Sequence, residues 1–170
     1  MQTIKTEGLV INFIQNIPNI PCICKKGSFE AFCSGSGISS LAAMVIREKI
    51  KKGEKVALIK DEADIEKISA KDLASAAAEG DPTAIEIFKL SGKYLGKGLS
   101  VLIDILNPQR IVIGSVYARN PHLFEAACNE VIDREALKPA WEVCEVVPAA
   151  LGDQVGDYAS LSVAMSQNNP

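Results

Sequence analysis

A long apolar-periodic segment bounded by two prolines limits the fold of this chain more than any other feature. Asp81-Pro82 is typical of an N-cap followed by proline at the first helical position. Asn107-Pro108 is typical of a helix stop. Between these pairs, apolar residues recur at spacings of mostly three and four, at Ile85, Phe88, Leu95, Leu99, Leu102, Ile103 and Leu106. The pattern predicts one long helix.

Three glycines lie inside this predicted helix, at Gly92, Gly96 and Gly98. Each costs up to about 1 kcal/mol relative to alanine in a helix interior. Glycines at such spacing indicate the close approach of another backbone. We therefore expect the helix to be buried against a sheet or a partner helix.

Elements before and after this helix alternate between strand and helix patterns. Downstream we predict a buried strand in "RIVIGS" (110–115), covered on both faces, and a helix from Asn120-Pro121 to about Leu137. A less buried strand in "WEVCEVV" (141–147) follows, and then a short helix with Asp157 as its N-cap. The upstream predictions are a strand at Gly8–Ile14, a helix at Leu41–Lys52 closed by Gly53, and a helix at Ser69–Gly80 opened by a Ser69/Asp72 capping box. The order predicts an α/β fold with a mostly parallel sheet.

Composition narrows the class of protein. With 170 residues, 48% of them hydrophobic and 23% charged, the chain fits one soluble globular domain. No apolar run reaches the roughly 18 residues that a membrane span needs, and we find no signal peptide, so we expect a cytoplasmic protein with no membrane partner. The net charge of −3 argues against a surface dedicated to nucleic acid.

Five cysteines without a secretory signal are expected to stay reduced. Cys128 and Cys144 lie in apolar surroundings and are most simply explained as small core residues. The other three fall within "PCICKKGSFEAFC", at Cys22, Cys24 and Cys33. Only this group suggests metal chemistry.

Several stretches together resemble the ROK family (repressors, open reading frames and sugar kinases). They are "CICKKGSFEAFCSGSGI", "AAAEGDPTAIEIFKLSGKYLGKGLSVLIDILNPQRIVIGS" and "VVPAALGDQVGDYASLSVA". The resemblance implies the C-terminal lobe of the actin-like (ribonuclease H-like) fold, with a partly parallel sheet and flanking helices. We assign residues 1–21 to an N-terminal strand and loop remnant, 22–166 to the ROK-like domain and 167–170 to a disordered tail.

The resemblance also implies catalytic parts that we do not find. The family's phosphate-binding loops and its general-base aspartate precede the cysteine segment, yet residues 1–21 contain only Gly8 as glycine and no aspartate. Phosphoryl transfer depends on positioning and on neutralising charge at the phosphate. We therefore assign no catalytic residue and do not expect the chain to phosphorylate a sugar alone.

The family signature binds zinc through three cysteines and an upstream histidine. Cys22 and Cys24 match the first two thiolates, but Ser28 stands at the third position and the sole histidine, His122, is far downstream. Two thiolates do not complete the tetrahedral site that structural zinc requires. We predict a degenerate loop without zinc.

Two positions match ligand contacts of the family. Glu30 occupies the place of a glutamate that hydrogen-bonds sugar hydroxyls, although a glutamate that favours the helix dipole explains it nearly as well. Gly114-Ser115 aligns with a Gly-Gly pair that lies against adenosine at the end of a strand. A simple strand-to-loop turn is an equal explanation, and Ser115 adds atoms where adenosine would approach.

Three functional hypotheses follow from the resemblance. The first is a non-catalytic ROK-like domain that retains sugar or nucleotide binding or serves oligomerisation, with ATP binding weak or lost. The second is one lobe of an active ATP-dependent, glucokinase-like sugar kinase. The third is the effector-binding module of a transcriptional regulator that makes no direct nucleic-acid contact. A sugar is the candidate ligand, and the expected protein partner is a second copy or an N-terminal lobe.

Overall fold

The computed structural model describes residues 28–166 and is mostly helical, with one small sheet. The helices are α1 (Glu30–Cys33), α2 (Gly35–Lys51), α3 (Ala70–Ala78), α4 (Pro82–Leu106), α5 (Ser115–Arg119), α6 (Pro121–Glu135), α7 (Lys138–Trp141) and α8 (Val155–Ser166). Short 3₁₀ helices occupy Glu62–Lys67 and Gly152–Gln154, and the strands are β1 (Arg110–Ile113) and β2 (Glu145–Pro148). The predicted strand at Gly8–Ile14 and the tail 167–170 lie outside the described residues. Within the described part of the chain, no helix is long and apolar enough to cross a membrane.

The long helix α4 begins and ends where the sequence predicts. The Asp81 carboxylate accepts a hydrogen bond from the Ala84 amide at 2.8 Å, and Pro82 is the first helical residue. At the other end Asn107 has a φ of 45°, a left-handed conformation that terminates helices and that asparagine tolerates better than most residues. The capping box of α3 is also confirmed, because Ser69 and Asp72 exchange side-chain and backbone hydrogen bonds.

The glycines of α4 mark its contact with α6. A Cβ atom at Gly92 would lie 2.8 Å from the Phe124 carbonyl oxygen, and one at Gly96 would lie 2.5 Å from the Cys128 carbonyl oxygen. Residue numbers increase together along the two helices, so α4 and α6 run parallel. The predicted close approach of another backbone is confirmed at Gly92 and Gly96, where the partner is a helix, whereas Gly98 faces the ring of Phe29. Cys128 is buried in this interface, as expected of a small core residue.

The sheet consists of β1 and β2, which pair in parallel with Arg110 opposite Glu145 and Ile113 opposite Pro148. Ile111 and Ile113 pack against the helical core, whereas Val112 on the other face is 59% exposed. The parallel pairing agrees with the predicted α/β class. The prediction that β1 is covered on both faces is wrong for the part of the chain that is described.

Helix α2 begins six residues earlier than the predicted Leu41. Ser34 caps it by accepting a hydrogen bond from the Gly37 amide at 3.0 Å. A Cβ atom at Gly37 would collide with the carbonyl oxygen of Glu30, so a glycine lets α1 and α2 meet. Glycine has low helix propensity, so the sequence pattern predicts the helix only from Leu41.

Two predictions near the C-terminus also need correction. The strand predicted over 141–147 is confined to β2, because the preceding Lys138–Trp141 forms α7 with Pro139 in its first turn. Asp157 is not the N-cap of the last helix but lies inside the first turn of α8. There its carboxylate still favours the helix dipole.

Candidate functional site

The carboxyl ends of β1 and β2 lie at the same edge of the sheet because the strands are parallel. The Ala149 amide, just after β2, donates a 2.9 Å hydrogen bond to the Ile113 carbonyl oxygen at the end of β1. Gly114 and Ser115 follow directly, and α5 contacts the 3₁₀ helix Gly152–Gln154. Ligands of open α/β sheets bind at edges of this kind.

Gly114 leaves open space at this edge. Its φ of −94° and ψ of −159° are accessible to any residue. A Cβ atom built on Gly114 would meet only the Ala149 Cβ, at 4.0 Å. A flat ligand could therefore approach the backbone here without displacing any described side chain.

Ser115 adopts the conformation that glycine adopts most easily. Its φ is 56°, and a non-glycine residue in the left-handed region costs roughly 1–2 kcal/mol. The family resemblance predicts a glycine at this position, and a φ of 56° is one that glycine takes without strain. Sequence reasoning identified the position, but nothing in the sequence indicated that Ser115 would take this φ.

Buried side chains just after Ser115 hold this turn in place. Val116 and Tyr117 are 7% and 5% exposed, and the Tyr117 ring packs against Phe124 with 5.7 Å between centroids. Burial, followed by the nearby Glu125 carboxylate, raises the pKa of Tyr117 to about 12. The tyrosine therefore stays neutral and serves as an apolar support for the edge.

Glu30 is the first residue of α1 and is exposed. Its carbonyl oxygen faces Gly37 in the first turn of α2, and a Cβ atom at neighbouring Gly35 would lie 3.5 Å from Val116 Cγ2. Glu30 and Val116, the residue that follows Ser115, thus both border the N-terminal turn of α2. Both explanations of Glu30, sugar contact and helix-dipole partner, remain compatible with its place.

The described part of the cysteine segment does not form a metal site. Cys22 and Cys24 lie outside the described residues. Cys33 is mostly buried with its Sγ 3.9 Å from the Ser91 carbonyl oxygen, and burial, assisted by nearby Cys128, raises its pKa to about 12. Zinc binds the thiolate, which this environment disfavours. Within residues 28–166, no group of three or more histidine, cysteine or acidic side chains could hold a metal ion.

A surface groove of about 480 Å³ lies elsewhere on the molecule, next to α3. None of the predicted site residues contributes to it. Its lining consists of Ala57, Leu58, Ile68, Asp72, Ala76, Glu79, Gly80 and Asp81. Asp72 and Asp81 are engaged in helix caps, so two of its three carboxylates already have structural partners.

The described residues form part of an actin-like α/β fold, which is the fold of the structural neighbours. One structural neighbour is a ROK family glucokinase from Streptomyces griseus in complex with glucose and AMPPNP, with a TM-score of 0.63 and 22% identity over 78% of this chain and 42% of that one. Another is a ROK family transcriptional regulator, a homolog of the E. coli MLC protein, with a TM-score of 0.61 and 28% identity over 79% and 33% of the two chains.

The chain belongs to the ROK family, whose model matches residues 11–165. It is 30% identical over 150 residues to a glucokinase from Halalkalibacterium halodurans, covering 88% of this chain and 44% of that protein. It is 31% identical over 97 residues to the transcriptional dual regulator NagC of Escherichia coli, covering 56% and 24%. The chain therefore spans less than half of either relative, and the family includes both glucokinases and repressors.

Proposed function

We propose that this chain is a ligand-binding domain of the ROK family that contributes one wall of a cleft for a sugar and an adenine nucleotide. The observation that carries the proposal is the sheet edge, where open Gly114 is followed by Ser115 in a glycine-like conformation. A relative with this fold is described in complex with glucose and AMPPNP. We propose that Gly114 and Ser115 contact the nucleotide and that Glu30 contacts sugar hydroxyls.

We further propose that the chain by itself does not transfer phosphate. Such transfer needs groups that hold and neutralise the triphosphate. Those groups are not found in residues 1–21 of the sequence, where the family resemblance predicts part of them. Incubation with ATP, magnesium and a panel of hexoses should release no ADP above the rate without sugar. Sugar-dependent ADP release by the purified chain would contradict this proposal.

Nucleotide binding is tested by thermal shift of the full chain with ADP, ATP and AMPPNP. We expect a saturable rise in melting temperature, because a ligand that binds only the folded state stabilises it. Gly114→Val should abolish the rise, since its branched side chain fills the open edge, while Gly114→Ala should weaken it less. The backbone at this position accepts both substitutions, so melting temperatures without ligand should stay unchanged.

Sugar binding is tested with glucose and N-acetylglucosamine in the same assay. Glu30→Gln should weaken binding by roughly tenfold or more, because hydrogen bonds to a charged group contribute about 1.5–3 kcal/mol. The matched control is Glu130→Gln, which alters an exposed glutamate on α6. If Glu30→Gln left the sugar affinity unchanged, Glu30 would not contact the sugar, and its role would be limited to the favourable interaction with the helix dipole. No shift with any sugar or nucleotide would contradict the proposed binding function.

A second candidate function is the effector module of a transcriptional regulator. The 28% identity to a ROK regulator of known structure and the match to NagC favour it. This function predicts a sugar-induced shift in melting temperature without any shift from nucleotides. The two assays above therefore separate the two proposals.

A further inference from the structure

Two buried serines of α4 donate their hydroxyl groups to different kinds of partner. Ser91 and Ser100 are 0% and 3% exposed. The Ser100 hydroxyl donates at 2.8 Å to the Gly96 carbonyl oxygen, one turn earlier in the same helix, which is a usual partner for a serine inside a helix. The Ser91 hydroxyl donates at 2.7 Å to the carbonyl oxygen of Phe32 in α1. Ser91 therefore links α4 to a helix that lies 59 residues earlier in the chain.

A second hydrogen bond joins the same two helices in the opposite direction. The Cys33 thiol donates to the Ser91 carbonyl oxygen, with 3.9 Å between the sulfur and the oxygen. Beside this pair, the Phe32 ring stacks on Tyr94 with 3.9 Å between ring centroids. A helix of four residues is not stable by itself, so contacts of this kind decide where α1 lies. The last turn of α1 is thus held on α4 around Ser91.

The exposed Glu30 is the first residue of this short helix. Its carbonyl oxygen accepts a hydrogen bond from the Ser34 amide at 3.1 Å, so its backbone is tied to the end of α1. On the other side, a Cβ atom at Gly37 would collide with the same carbonyl oxygen, so α2 also borders this residue closely. The position of the Glu30 backbone therefore depends on how firmly the end of α1 is held.

We propose that Ser91 is a positioning residue for sugar binding, which acts through α1 on the carboxylate of Glu30. This role rests on the proposed contact of Glu30 with sugar hydroxyls. Good hydrogen bonds between oxygen atoms fall within a range of about 0.5 Å, so a carboxylate on a loosely held helix makes them less often. Ser91 is bonded to α1 rather than to Gly114 or Ser115, so it should affect sugar affinity and leave nucleotide affinity unchanged.

Hydrogen exchange of the full chain, followed by mass spectrometry, tests the link between the two helices. We expect amides of residues 31–34 to exchange at least about tenfold faster in Ser91→Ala, because losing a buried hydrogen bond makes local opening of α1 easier. The matched control is Ser100→Ala, which removes a hydroxyl of similar burial that donates within α4. That control should leave exchange in residues 31–34 unchanged. Unchanged exchange in Ser91→Ala, or an equal increase in both variants, would overturn the proposal whether or not a sugar binds.

Sugar titrations test whether Ser91 acts through Glu30. In isothermal titration with glucose and N-acetylglucosamine, we expect Ser91→Ala to bind about three- to tenfold more weakly, while its affinity for AMPPNP stays unchanged. In the Glu30→Gln background, Ser91→Ala should weaken sugar binding no further, because residues that act through one contact are not additive. Equal losses of sugar and nucleotide affinity, or a further loss in the double variant, would show a general structural role and overturn the proposal.

The single variants separate a failure of the positioning role from a failure of the proposed function. If Glu30→Gln weakens sugar binding and Ser91→Ala does not, the positioning role alone is refuted. If the unsubstituted chain binds no sugar, or if Glu30→Gln binds it equally well, the proposed sugar contact is refuted and the role of Ser91 falls with it.

Discussion

Replacing Gly96 with alanine tests the contact on which the helical core depends. The added Cβ would lie 2.5 Å from the Cys128 carbonyl oxygen and 2.8 Å from Val131 Cβ. The carbonyl belongs to the backbone of α6 and cannot rotate away as a side chain could. An ordinary contact begins at 3.4 Å, about 0.9 Å farther, so α6 must move away from α4 by about that amount.

The expected loss follows from this displacement. A gap of 0.5–1 Å forfeits about a quarter to a half of the dispersion energy of each separated atom pair. Overpacking of this kind typically costs about 1–3 kcal/mol, and alanine recovers up to about 1 kcal/mol through its helix propensity. We expect the free energy of unfolding to fall by about 2 kcal/mol, which lowers the melting temperature by about 4–8 °C in a chain of this size.

Urea and thermal denaturation followed by circular dichroism measure this change. The control is Gly156→Ala in α8, because a Cβ atom at Gly156 would have nothing within 4 Å. We expect the control to leave stability unchanged or slightly increased, through helix propensity alone. If Gly96→Ala were as stable as the unsubstituted chain, α4 and α6 would not meet at this distance and the packing described for the core would be refuted.

Other substitutions and conditions test separate features of the fold. Asp81→Ala removes the side-chain cap that accepts from the Ala84 amide, so we expect a loss of about 1 kcal/mol in urea unfolding. Ser115→Gly should raise the unfolding free energy by about 1 kcal/mol, because glycine takes a φ of 56° without strain; lower stability would mean that the Ser115 side chain makes a contact of its own. Burial raises the pKa of both Cys33 and Cys128 to about 12 in the folded chain. As the pH rises, the unfolded chain therefore loses these thiol protons at a lower pH than the folded chain does. Stability should fall as pH rises from about 9 to 12, and Cys33→Ala should reduce that slope.

The sequence was most informative where one residue type has one dominant local role. The ends of α4 are set by three residues with local effects. Asp81 caps the first turn, Pro82 fixes its own φ, and Asn107 takes a left-handed conformation that ends the helix. None of these effects requires knowledge of the rest of the chain. The glycines of α4 indicated a close backbone neighbour for the same reason. Their spacing could not say whether that neighbour is a helix or a sheet, because both allow the approach.

Predictions failed where packing overrides local preference. The sequence predicts a helix only from Leu41, yet Gly37 belongs to α2, where only a glycine fits against the carbonyl oxygen of Glu30. The alternation of apolar and polar residues in 141–147 predicts a strand. In the structure, Pro139 and its neighbours form the helix α7, which includes the first residue of that range. The apolar run 111–113 predicts a strand that is buried on both faces. Val112 is exposed, because an apolar strand is buried on both faces only where a layer of structure covers each face.

For the candidate site, the sequence located the positions and the structure added their geometry. Gly114-Ser115 follows an apolar strand, and this alone placed the pair at a carboxyl edge. Ser115 has a φ of 56° and is followed by the buried Val116 and Tyr117, and neither feature could be read from the sequence. For Cys33, the spacing within the cysteine segment left a metal role open in principle, whereas burial, followed by nearby Cys128, raises the pKa of its thiol and so disfavours the thiolate.

The two proposed ligand contacts rest on different parts of the fold. Gly114 and Ser115 follow a strand paired in register with β2, and the next two residues are buried in the core, so described residues alone define this edge. Glu30 lies on the four-residue helix α1, which contacts α4 where the ring of Phe29 meets Gly98 and the ring of Phe32 stacks on Tyr94. A short helix has few contacts to fix its position. We therefore expect nucleotide affinity to depend on the sheet edge, and sugar affinity to depend on how firmly the short helix α1 packs against α4.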